Sequence, residues 1–159
     1  MLPSLRQRPR PISHLHKVYD RPQFDSDVAL RDAIKQSLVD GPRMQVATRA
    51  IAAVGQYNPF GVSPDLTNFP TGAQMVGGAG EARRAVRERI GHGADLIKVY
   101  ADWTRPILIV DEMRVIVEEA HKQGRKVAAH ATSPEGIKNA PHSGRGFHRA
   151  CTRGGPPSY

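Results

Sequence analysis

Apolar and polar positions repeat with a recognisable period only through the middle of the chain. In "DVALRDAIKQSLVDGPR", Val28, Leu30, Ala33, Ile34 and Leu38 recur at helical spacing, with Asp27 as a cap and Gly41-Pro42 as the stop. "RMQVATRA" then reads as a short strand. Residues 51–79 run through Gly, Pro and Asn without a clear period. A loop that long in a compact domain is usually functional or disordered. "GEARRAVRERIGHG" predicts a helix whose apolar positions are Ala82, Ala85, Val86 and Ile90. The strand "DLIKVYAD" follows. "VDEMRVIVEEAHKQG" predicts a helix capped by Asp111 and stopped by Gly124, and "KVAAHAT" predicts another strand. "SPEGIKNA" opens a last helix, with Ser133 as cap and Pro134 in the first turn.

Strands alternating with helices in this way imply an α/β fold with a parallel sheet and right-handed crossovers. The pattern divides the chain into an irregular basic segment (1–26), a folded body (27–140) and an aperiodic tail (141–159). The tail, "PHSGRGFHRACTRGGPPSY", contains no acid and is expected to be disordered or to be out-of-frame sequence.

Strand alternation sorts the candidate chemistry. Leu96, Lys98 and Tyr100 share one face of their strand, opposite Ile97, Val99 and Ala101. Ala128, His130 and Thr132 share a face opposite Val127, Ala129 and Ala131. The purely apolar sets suit contact with helices. Lys98 and His130 are then expected on the other face, near the C-terminal strand ends where β/α barrels carry their sites. A desolvated lysine can lose its proton, and the neutral amine can take up carbon dioxide as a carbamate. That product is an anionic two-oxygen ligand, and a neutral imidazole such as His130 suits zinc. The same spacing also fits blander roles. Lys98 can reach the mouth of the sheet and pair with Asp102 or Asp95, His130 can be a hydrogen-bonded core residue, and Tyr100 a rim aromatic.

Weaker motifs add little. His14 and His16 form an H-x-H pair, but "RPRPI" precedes it where an apolar strand would be needed. "GGAGEARR" lacks both the P-loop ending and the dinucleotide-binding spacing, and reads as a flexible helix start.

Charge changes the picture less than its total suggests. The net charge is +8, of which residues 1–22 carry +4 (five Lys/Arg, one acid) and residues 141–159 carry +3 (three Arg). The body between is left with +1, so it is no phosphate-binding surface and argues against nucleic acid as a partner. The basic ends alone would support the competing reading, a protein that binds nucleic acid or anionic surfaces. The single Cys151 excludes an internal disulfide framework and fits a reducing, cytoplasmic setting. No apolar run reaches membrane-span length, and the basic N-terminus has no apolar signal core.

Taken together, "DVALRDAIKQSLVDGPRMQVATRAI", "EARRAVRERIGHGADLIKVYAD" and "EEAHKQGRKVAAHATSPEGIKNA" resemble the metal-dependent amidohydrolase superfamily. The branch they are most similar to is the imidazolonepropionase-like and Xaa-Pro dipeptidase-like enzymes. The resemblance implies a partial (β/α)8 TIM barrel, about three parallel strands of it with flanking helices. It implies one or two divalent metals, zinc above all, and hydrolysis of an amide or dipeptide C–N bond by metal-activated hydroxide. Lys98 matches the carboxylated lysine of the family's fourth strand and His130 the histidine ligand of its fifth. Tyr100, Arg49 and Tyr57 are the implied substrate contacts, the last in the loop over the site.

Departures from the family pattern carry expectations of their own. The first-strand H-x-H has no strand before it, His142 and His148 are expected to have no strand around them, and the eighth-strand Asp is absent. The expectation is therefore a central fragment that is catalytically inactive as an isolated chain. Its open sheet edges would favour self-association or a partner chain that supplies missing strands.

Overall fold

The computed structural model describes residues 26–56, 72–102, 106–131, 133, 134 and 136, together with the backbone of 147–150. Its elements are helix α1 (Ser26–Lys35), strands β1 (Ala50–Ala53) and β2 (Ala73–Val76), helix α2 (Ala79–Gly91), strand β3 (Leu96–Tyr100), helix α3 (Val110–Lys122), and strands β4 (Lys126–His130) and β5 (Phe147–Ala150). All strand pairings are parallel, in the order β2-β1-β3-β4-β5. Strands β1, β3, β4 and β5 follow one another as in the wall of a β/α barrel, and β2 adds to the outer side of β1.

The core lies between one sheet face and α2 and α3. Ile51, Ile97, Val99 and Val127 come from the strands, while Ala82, Ala85, Val86, Met113, Ile116 and Ala120 come from the helices. Their spacing is the reason these helices form where they do: Met113, Ile116, Val117 and Ala120 recur at helical period on one side of α3. Ile97, Val99 and Val127 face the helices, as their alternation predicts.

Several local expectations are corrected. The strand expected at 43–50 lies at 50–53 instead. Thr48 adopts a left-handed φ of 53° and interrupts the extended chain just before it. Its N–H donates to Asp27 Oδ2 at 3.0 Å, and its hydroxyl to the Ala47 carbonyl at 2.7 Å. Strand β2 falls inside the stretch expected to be a loop. Helix α1 ends at Lys35, short of Gly41, because the chain turns at Ser37, whose φ is 59°.

The expected apolar stripe of α1 is only partly covered: Val28, Ala33 and Ile34 are half-buried. Leu30 and Leu38 are 40% and 73% exposed, whereas Asp27 and Arg31 are buried. Arg31 Nη1 donates to the Gly93 carbonyl at 2.7 Å and to Asp95 Oδ2 at 2.8 Å, just ahead of β3. Asp95 Oδ2 also accepts the N–H of Val46 at 3.1 Å.

At α3 the cap is Ile109, not Asp111, which lies in the first turn. The buried Glu112 satisfies the amides there. Its carboxylate accepts the N–H of Ile109 at 3.0 Å and the N–H of Gly78 at 2.7 Å, ahead of α2. Glu81 accepts the N–H of Gly77. The amides of Gly77 and Gly78 in "GGAGE" are thus engaged by carboxylates, which fits a helix start rather than a phosphate loop.

Candidate metal and substrate site

The register between β3 and β4 sets the site. Lys98 pairs with Ala128, and Tyr100 with His130. Partners in register share a sheet face, so Lys98, Tyr100 and His130 stand together on the face away from α2 and α3. Tyr100 is fully buried, beside Ala50, Ala52 and Ala73 in a second, smaller cluster. Lys98 and His130 are half-buried.

Side-chain geometry agrees. Lys98 Nζ lies 5.8 Å from the centroid of the Tyr100 ring, within cation–π range. The His130 ring meets Tyr100 edge-on, with centroids 5.9 Å apart and planes at 69°. The aromatic ring is therefore approached by the amine from its own strand and by the imidazole from the next, at the C-terminal end of both strands.

Of the two carboxylates that sequence offers to Lys98, Asp95 binds Arg31 and Val46, and Asp102 accepts the N–H of Ser133. Ser133 makes the bond expected of a cap: its Oγ accepts the N–H of Gly136 at 2.9 Å.

Other sequence candidates are placed differently. Arg49 directly precedes β1, and its Nη2 donates to the carbonyl of Ala73, the first residue of β2, at 2.9 Å. This contact ties two strands together at the end of the sheet away from His130. Tyr57, His14, His16 and His142 lie outside the described residues. His148 corrects an expectation: it sits within β5, in register with Ala128. Lys98, Ala128 and His148 thus occupy one row across three neighbouring strands. The Asp102–Ser133 link was missed as a unit, although an Asp just after one strand and a Ser cap just after the next were both visible.

Residues 13–153 match the model of the amidohydrolase family. The chain belongs to that family. Solved structures agree. A Xaa-Pro dipeptidase with methionine bound in its active site is 32% identical, with a TM-score of 0.63, over 71% of this chain and 31% of its own. A prolidase in complex with N-methylphosphonate-L-proline is 34% identical, with a TM-score of 0.57, over 70% of this chain and 31% of its own. Ochratoxinase from A. niger is 28% identical, with a TM-score of 0.61, over 71% and 31%. The chain thus spans about a third of the length of these proteins. No curated protein sequence matched it. Among the described residues, no helix is long and apolar enough to cross a membrane.

Proposed function

We propose that this amidohydrolase segment carries part of a metal site that hydrolyses the C–N bond of a small amide, of Xaa-Pro dipeptide type. The observation that carries the reading is the convergence of Lys98 and His130 on Tyr100 from neighbouring parallel strands. The donor chemistry fits a divalent cation such as zinc. His130 offers an imidazole, and Lys98 would offer two carbamate oxygens after its neutral amine adds to carbon dioxide and releases one proton. A cation held there would supply Lewis acidity toward an amide carbonyl and toward water. Tyr100 lies against both groups. Tyr57 is proposed as a substrate contact, whereas Arg49, held at the Ala73 carbonyl at the other end of the sheet, is not proposed for that role. The prolidase-type neighbours support the dipeptide assignment by likeness only.

The isolated chain is proposed to be catalytically inactive. Catalytic zinc sites use about three protein ligands, and no cluster of three or more His, Cys, Asp or Glu that could hold a metal occurs among the described residues. Zinc titration of the full chain, paired with a Xaa-Pro dipeptide assay, tests both halves. Zinc binding is expected to weaken at least tenfold in His130→Ala and Lys98→Ala, without detectable turnover by any form. Dipeptide hydrolysis at ordinary enzyme rates would sink the inactivity claim, and unchanged zinc affinity in both variants would sink the site.

A second reading has its own observation. Among the described residues β2 and β5 are the outer strands of the sheet, and a strand edge can pair with a further strand. On that reading these two strands are proposed as the place where another copy or a partner chain would pair.

A further inference from the structure

The rim beside the candidate site holds a buried carboxylate to which the hydrolytic reading gives no role. Asp102 lies two residues beyond Tyr100 and is 7% exposed. Its Oδ2 accepts the N–H of Ser133, three residues beyond His130. Between these points the Ala101 N–H donates to the His130 carbonyl at 2.9 Å, extending the β3–β4 ladder past the Tyr100–His130 pair. The segment from His130 to Ser133 is therefore fastened to β3 at both ends. Gly136 completes the arrangement. A Cβ at that position would overlap the Asp102 carboxylate, so the helix start can close on Asp102 only because residue 136 has no side chain.

A carboxylate taken out of water needs donors, and the free amides at a helix start supply them. The bond also has a geometric effect. It fixes the course of the chain leaving β4, and with it the point from which the His130 ring projects toward Tyr100.

We propose that Asp102 is a positioning residue, which by holding Ser133 keeps the His130 imidazole against Tyr100 and beside Lys98. Its functional meaning rests on Lys98 and His130 being the metal-binding pair, whereas its geometric content does not.

The test uses the full 159-residue chain, isotope-labelled, with the His130 ring resonances as the readout and a zinc titration alongside. The Tyr100 ring displaces those resonances, and Tyr100→Leu defines the size of the displacement. In Asp102→Ala the displacement is expected to vanish and zinc affinity to fall about tenfold, the lower end for residues that orient a ligand. Asp102→Asn, whose carboxamide oxygen still accepts the Ser133 N–H, is expected to restore both. Gly136→Ala leaves Asp102 in place but crowds its carboxylate, and should reproduce the spectral change of Asp102→Ala. Unchanged His130 resonances in Asp102→Ala and Gly136→Ala overturn the proposal. If Asp102→Ala loses its dispersed spectrum altogether, the other two variants decide. A displacement preserved in Asp102→Asn and lost in Gly136→Ala supports it, and any other pairing overturns it. A chain that binds no zinc, yet whose His130 resonances follow Asp102, refutes the metal site and leaves the positioning role standing.

Discussion

Helices α1 and α3 look alike in sequence, and they dock in opposite ways. Each has a stripe of apolar residues at helical spacing. Helix α3 lays Met113, Ile116, Val117 and Ala120 onto the sheet and α2. Helix α1 leaves Leu30 exposed and reaches the start of β3 through Arg31, while Asp27 holds Thr48 ahead of β1. The difference teaches that periodicity reports that a helix forms, whereas the face it buries depends on what the neighbouring surface offers. Next to α1 that surface is the Gly93 carbonyl and the Asp95 carboxylate, so a guanidinium fits it better than a leucine does.

The largest effect should come from emptying the α3 face. Ile116→Ala is expected to destabilise the chain by about 2–5 kcal/mol, since it deletes a fully buried side chain. Leu30→Ala in α1 should change stability by no more than about 0.5 kcal/mol. Urea unfolding midpoints check the pair, and equal losses would erase the contrast.

Next comes the polar dock. Arg31→Ala removes the donors that hold the Gly93 carbonyl and the Asp95 carboxylate and should cost about 1–3 kcal/mol. The lower half of that range is favoured because the Asp95 side chain is 25% exposed and can find water. Amide exchange at Val46 should quicken in the same variant, because Asp95 also holds that N–H. A loss larger than that of Ile116→Ala would reverse the ranking of the two modes.

The smallest effect concerns acid. The Arg87 guanidinium, 2.6 Å from Glu119 Oε1 between α2 and α3, holds the Glu119 carboxyl below its ordinary value of 4.5. A group whose folded value is lowered stabilises fully above the ordinary value, and loses that contribution as pH falls through the folded one. Stability should therefore drop below pH 4.5 as Glu119 gains its proton, and Glu119→Gln should flatten that part of the profile. An identical acid limb in the variant would show that the pair adds nothing to this interface.

Legibility followed the same physics. Strands β3 and β4 could be read face by face, because one face meets helices and the other mixes Lys98, Tyr100 and His130 with small residues. Strand β1, "AIAA", could not be read, because every position is buried and no polar residue marks a face. Strand β2 is only four residues long and lies close to Gly-rich sequence. At the start of α3, the nearer acid looked like the cap, but Glu112 has the reach to bond two amides at once. The two proposed metal-binding residues were visible from alternation. The Asp102–Ser133 link between their strands was not, because it joins residues whose proximity depends on strand register.

The bond from Glu112 to both Ile109 and Gly78 has a mechanical consequence. One carboxylate yokes the first turns of two successive crossovers, on the outside of the sheet and at the level where the strands end. The start of α2 cannot lift away from the start of α3 without breaking the Gly78–Glu112 bond, so a side chain that caps one crossover also tethers the other.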